Sequence, residues 1–242
     1  MYDFLFNQIP QHFPFLLSGA VVTIELSLVS MVVGLVLGLA VALGRMSGRW
    51  WLVWPLNAFV EIWRDTPLIV QLLVIYFTLP NVGITLPGFW AGVLGLSLNL
   101  AAYLSEVFRA AIQSVDDGQR MAGLSMGMSG FMIYWRIILP QAMLTAIPTV
   151  GGYFIALLKD CSLVSFIAVN ELLRNATIVI SNTFDSMDTY FMVAIIYFAM
   201  SFLSSRLVAV IERWLTPAYL RRGFVSPEQV RMLPVVATGV PV

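Results

Sequence analysis

Residues 15–44 form an almost unbroken apolar run whose one charge is Glu25, and no other feature limits the possible folds of this chain so strongly. Backbone that enters lipid must satisfy its own N–H and C=O groups, so a run of this kind is a helix. About 20 apolar residues cross the hydrocarbon core, and this run is longer than that. Four further stretches have the same character: residues 66–80, 89–112, 140–158 and 190–211. The second is short and is expected to borrow length from residues 54–63. With 60% hydrophobic and 11% charged residues in 242, the chain is too apolar for a soluble domain. The expected fold is all-α integral membrane, with about five spans.

No Lys or Arg precedes the first run, and the run is longer than a signal h-region, so it reads as a span and not a cleavable leader. All 13 basic residues except Lys159 and Arg174 fall on one side if the N-terminus is external. The positive-inside rule then predicts the N-terminus outside and the C-terminus inside, which an odd number of spans also requires. Residues 1–215 read as one membrane domain, and residues 216–242 as a cytoplasmic tail rich in Arg and Pro.

What the chain lacks narrows its chemistry. Lys159 is the only lysine and follows Leu158, so the Gly-Lys pair of a phosphate-binding loop is missing and any ATP must be bound by a partner chain. One cysteine, Cys161, excludes an internal disulfide and a cysteine zinc site, and His12 is the only histidine. Zero net charge gives no electrostatic case for nucleic acid. No nucleophile elbow or carboxylate-histidine pairing marks an enzyme.

Residues 113–141 make a polar insert, predicted to be cytoplasmic, between two apolar stretches. Asp116 followed by Gln119 reads as a capping-box start, and Gly127 with Ser129 ends one short helix and opens another. Met121, Leu124 and Met128 fall at helical spacing, giving one apolar face beside Arg120. A capped segment with its own apolar stripe suits docking, although a helix lying on the membrane surface would look similar.

Polar groups inside the apolar runs are the candidate path residues. Lys159, Asp160, Cys161 and Ser162 end a long apolar run, either as interfacial anchors or as a helix break that offers charges and free backbone groups to a solute. Asn99, Tyr103 and Glu106 share a face of the third run, with Arg109 one turn on; a polar stripe there faces the bundle interior or a cavity, and Glu106 with Arg109 also reads as a packing ion pair. Gly34 and Gly38 form a GxxxG suited to close helix packing. Glu61, Arg64 and Asp65, just before Thr66 and Pro67, are expected at the cytoplasmic surface. Residues 160–189 read as a re-entrant or surface helix on the outer side.

Several of these stretches together resemble one family. Met121-Ala122-Gly123, Gly127 and Ile137-Ile138-Leu139-Pro140 follow the pattern of an EAA loop. Arg64-Asp65-Thr66-Pro67-Leu68 with Gln71, Ala102-Tyr103-Leu104-Ser105-Glu106 with Arg109, and Leu158-Lys159-Asp160-Cys161-Ser162-Leu163 match further family patterns. Over residues 19–222 the chain resembles the permease subunit of polar amino-acid ABC importers of the histidine, arginine and glutamine type. Two positions depart from the pattern: Met121 replaces the EAA glutamate, and Cys161 stands where threonine is usual.

The resemblance implies a type I importer fold, a pair of membrane subunits, two cytoplasmic ATPases that bind the ATP, and an extracytoplasmic amino-acid-binding protein, in the bacterial inner membrane. It also implies ATPase coupling through residues 116–139, carried by Arg120, Met121, Ala122, Gly123, Leu124, Gly127 and Met128. The substrate path would run past Lys159, Asp160, Cys161, Ser162, Asn99, Tyr103 and Glu106. With no acid at Met121, docking is expected to rest on the Met121, Leu124 and Met128 face and on Gly127. Two other readings stay open: a gradient-driven secondary transporter using Glu25, Glu106 and Asp160, and a membrane anchor without a path.

Overall fold

The computed structural model describes residues 9–215, which are helical throughout apart from short links. Helix α1 (Ile9–Arg45) contains the first apolar run. It is followed by α2 (Trp50–Asp65), α3 (Leu68–Thr78) and α4 (Gly88–Gln113). Two short helices, α5 (Asp117–Ser125) and α6 (Gly130–Ile133), lead through a π-helical turn into α7 (Leu139–Asp160). A 3-10 segment (Cys161–Ile167) connects to α8 (Leu172–Thr183), and α9 (Ser186–Leu215) closes the described chain. The tail at 216–242 lies outside the described residues.

Helices α1 and α4 form the central pair, and small residues set their separation. A Cβ on Gly34 would meet the Leu100 side chain at 2.7 Å, and one on Gly38 would meet Leu104 Cβ at 2.9 Å and the Ala101 carbonyl at 3.2 Å. The expected GxxxG packing is therefore present, with the ridge of α4 seated in a glycine groove. Ser97 Oγ donates to the Ser30 carbonyl at 3.3 Å in the same seam. Neighbours rise together along the two helices, so α1 and α4 run parallel. From Asn99 to Gly95 to Gly88 the α3 neighbour moves from Gln71 to Leu72 and Ile75 to Tyr76, and from Tyr103 to Gly92 the neighbour after α4 moves from Tyr153 to Val164, so α3 and α7 run the opposite way to α4.

Among the described residues four helical segments are long and apolar enough to cross a membrane: His12–Arg45, Gly88–Gln113, Gly130–Ile167 and Ser186–Leu215. The apolar helix Leu68–Val82 is shorter. It does not gain length from α2 as one continuous helix, because Thr66 is extended at φ −98°, ψ 134°. The cause is Pro67, whose ring pushes the preceding residue out of the helical region. Within α4, 67% of the most apolar window is buried, against 11% in α9, so α4 is the axis of the bundle and α9 its periphery.

The region after α7 is more buried than a surface helix. The 3-10 segment buries Cys161, Val164, Ser165 and Ile167, and α8 buries Leu172, Asn175, Ala176 and Val179 against α1 and α9. Glu171 caps α8, accepting from Leu173 N–H at 2.9 Å and Arg174 N–H at 2.7 Å. Tyr197 of α9 donates to the same carboxylate at 2.9 Å, and Thr23 of α1 accepts from Leu172 N–H at 3.3 Å. Gly19 leaves room for this junction, since a Cβ there would meet the Glu171 backbone at 2.9 Å. One capping residue thus fastens three helices.

Candidate substrate cavity and docking surface

The break between α2 and α3 forms one wall of a cavity of about 450 Å³. Freed carbonyls at the end of α2 need donors, and side chains supply them. Gln71 Nε2 donates to the Trp63 carbonyl at 2.8 Å and the Thr66 carbonyl at 2.9 Å. Asn99 Nδ2 donates to the Trp63 carbonyl at 3.1 Å and to Gln71 Oε1 at 3.0 Å. Arg64 to Leu68 consequently stand as fixed backbone beside the middle of α4. Leu96, Asn99, Leu100 and Tyr103 give the second wall, and Tyr153, Ala156, Leu157 and Asp160 of α7, with Leu163, give the third.

Arg64 and Asp65 border the cavity near the midpoint of α4, and both stay exposed, as Glu61 does. The Arg64 guanidinium lies 5.5 Å from the Tyr103 ring centroid, and Tyr103 Oη donates to the Arg64 carbonyl at 3.4 Å. Tyr103 and Tyr153 face each other at 5.9 Å between centroids. Sequence reasoning missed Tyr153, although it stands two helical turns before Asp160 and so on the same face.

The expected path residues divide. Asn99, Tyr103 and Asp160 line the cavity, and Asn99 also pins the helix break. α7 ends at Asp160 as the sequence suggests, but Lys159 and Ser162 are not in the lining and Cys161 is fully buried in the core. Glu106 sits outside the lining and is an ion-pair hub. Its Oε1 receives Arg45 at 2.6 Å and its Oε2 receives Arg109 at 2.6 Å, with Arg64 3.9 Å away. Arg45 also donates to Asn57 Oδ1 at 2.6 Å, so α1, α2 and α4 converge on one carboxylate. Asn57 and Arg45 give no signal in the sequence, because the hub depends on packing between distant segments.

The insert forms a separate surface. Asp116 caps α5 by accepting from Gly118 N–H at 2.7 Å; this single bond replaces the reciprocal capping box expected with Gln119. The helix ends in a Schellman motif, with Met128 N–H on the Gly123 carbonyl at 3.0 Å and Gly127 N–H on the Leu124 carbonyl at 2.9 Å. That motif needs Gly127 at φ 74°, a left-handed value that other residues reach only with strain. Ser129 then accepts from Met132 N–H at 3.3 Å to open α6.

Met121 is 63% exposed and Leu124 49%, and Ala122 and Arg120 are exposed with them. Met128 lies beyond the helix and is half-buried, so it does not extend the face; Met126, 81% exposed, stands out instead, with Phe131 and Trp135 nearby in sequence. Gly123 is buried, where a Cβ would meet Ile133 at 2.8 Å, so it seats α5 against α6.

Comparison with known proteins decides what this bundle is. Residues 34–217 match the family of binding-protein-dependent transport system inner membrane components. The chain belongs to that family. The L-cystine transport system permease of Bacillus subtilis is 41% identical over 201 residues, covering 83% of this chain and 86% of the relative. The arginine transport system permease of the same organism is 32% identical over 206 residues, covering 85% and 94%. A crystal structure of an amino acid ABC transporter with histidines shares 38% identity at a TM-score of 0.81, covering 86% of this chain and 97% of that one. A methionine ABC transporter in an inward-facing conformation, at 22% identity and a TM-score of 0.71, shares the fold.

The permease therefore has the type I ABC importer fold and is a multi-pass membrane protein. It is the non-catalytic membrane subunit of an ATP-driven importer, and partner subunits hydrolyse the ATP.

Proposed function

We propose that this permease forms the translocation path for a polar amino acid and that the cavity at the α2–α3 break is its substrate station. The observation that carries the reading is the lining itself: a guanidinium and carboxylates, with two tyrosines, gathered at a helix break midway along α4. An amino acid presents one cation and one anion, and intramembrane charges of both signs around a cavity suit it. The cystine and arginine permeases among the relatives support the same substrate class.

The working unit is two such membrane subunits, identical or paralogous, with two cytoplasmic ATPases and an extracytoplasmic amino-acid-binding protein in the bacterial inner membrane. The chain crosses that membrane five times, α3 making the short crossing, with the N-terminus outside and residues 216–242 inside. Parallel α1 and α4, with the shorter α3 between them running the opposite way, support this topology. The exposed Met121, Leu124 and Met126 surface, held by Gly123 and Gly127, docks the ATPase, and Ala122 and Arg120 border it. Asp160, Asn99 and Tyr103 touch the substrate, whereas Glu106 holds the frame.

The test is uptake of radiolabelled L-amino acids by the full complex in liposomes with ATP inside. Asp160→Asn is expected to cut uptake at least about tenfold, the equivalent of about 1.4 kcal/mol, with assembly intact. Unchanged uptake by this variant for every amino acid transported by the parent would refute the cavity assignment.

A further inference from the structure

The join between α6 and α7 departs from regular helix at one place. Tyr134–Ile138 form a π turn, in which Leu139 N–H bonds the Tyr134 carbonyl instead of that of Trp135. Pro140 follows and has no N–H to give the turn. Gln141 supplies a donor from its side chain, Nε2 lying 2.9 Å from the Ile137 carbonyl. Tyr134 Oη, by contrast, is buried and has no hydrogen-bond partner among the described residues. A buried hydroxyl left unpaired costs free energy, and single π turns inside long helices cluster at functional sites.

The surroundings differ on the two sides of the turn. Leu139 and Ala142 belong to the core, whereas Phe131, Met132, Trp135 and Arg136 are exposed. Ile133 packs on Gly123, so the docking side moves together with α5. Exchanging the π turn for an α turn takes one residue out of the ring, which rotates one side against the other by about 100° and shifts it by about 1.5 Å. We propose that this turn is the joint at which motion of the docked ATPase enters α7, and that Tyr134 is its positioning residue. The Gln141 bond favours the π register, and the Tyr134 hydroxyl gains a partner in the other, so each register has an interaction of its own. The assignment rests on the reading that α5 docks the ATPase.

The test uses the full complex in proteoliposomes, with uptake of radiolabelled L-amino acids and phosphate release measured on the same sample and thermal unfolding beside them. Tyr134→Phe removes a hydroxyl that bonds nothing here. It is expected to leave the melting temperature unchanged or raised and to lower the amino acid taken up per ATP at least about threefold, the worth of one net hydrogen bond. A ratio equal to the parent's overturns the proposal. So does a lowered melting temperature, because the hydroxyl would then already be paired. Hydrogen exchange over residues 130–144 reads the joint without any variant: protection is expected to differ at least about threefold between nucleotide-free and vanadate-trapped complexes. Equal protection in both overturns the joint. Met121→Asp with Leu124→Asp, measured alongside, separates the two readings. If that pair keeps the ATPase bound and coupled, the docking reading fails and the joint with it; if it uncouples while Tyr134→Phe does not, the joint alone fails.

Discussion

Arg45, the last residue of α1, reaches Glu106 of α4 at 2.6 Å, and the same guanidinium holds Asn57 of α2. The pair is partly shielded, with side-chain exposures of 14% and 24%. Removing the acid leaves three arginines facing each other without a counter-charge. Glu106→Gln is therefore expected to destabilise the purified complex by about 1–3 kcal/mol, below the range for a fully buried pair. Thermal unfolding in detergent reads the loss.

The α1–α4 seam leaves no room for added atoms at Gly38. A Cβ would sit 2.9 Å from Leu104 Cβ, and the Ala101 carbonyl blocks the alternative path at 3.2 Å. Gly38→Val should cost about 1–3 kcal/mol by overpacking, seen as a lower melting temperature. Gly130, where an added Cβ would meet nothing within 4 Å, is the matched control for sterics.

Met121 and Leu124 offer apolar area on one side of a rigidly capped helix. Met121→Asp with Leu124→Asp is expected to weaken retention of the ATPase subunit at least about tenfold in co-purification. Gly127→Ala should act more mildly, costing about 1 kcal/mol through strain at its positive φ. Normal transport and ATPase coupling in both would exclude docking through α5.

Cys161 stands beside Asp160 in sequence yet is fully buried. N-ethylmaleimide should leave it unmodified in the folded complex and label it after denaturation, because reactivity requires an accessible thiolate. Rapid labelling of the native protein would contradict its place in the core.

Glu171 and Tyr197 give a further measure of the junction of α1, α8 and α9. Tyr197→Phe removes one of the donors to a carboxylate sealed from solvent, and a loss of about 1–3 kcal/mol in stability is expected. The readout is again thermal unfolding, with Thr23→Val as a second probe of the same junction.

Long-range features of the fold are written in apolar length: the runs around Glu25, Asn99 and Phe198 all form helices in the bundle. Local punctuation is legible too, since Gly127, Ser129 and Asp116 act where their residue types suggest. The site is readable only in part. Asn99, Tyr103 and Asp160 announce themselves as polar groups in greasy helices, and the Glu106–Arg109 leg of the hub is legible as an i,i+3 pair, but its Arg45 and Asn57 legs come from other helices and leave no periodic trace. Arg64 reads as a surface charge beside a proline and is indeed exposed, but its place over Tyr103 at the cavity depends on the helix break that the proline makes. Met128 joins the docking face by spacing alone, and the Schellman turn at Gly127 ends the helix before that spacing can apply.

A single helical segment runs from Gly130 to Ile167 and includes Trp135 at one end and Asp160 near the other. At 1.5 Å per residue the 22 residues of α7 within it extend about 33 Å. Within the segment the π turn at Tyr134–Ile138 ends where Pro140 withholds an N–H, the kind of interruption at which helices bend. The segment therefore joins the α5–α6 surface to Asp160 through two points at which helices bend, the π turn and Pro148 within α7.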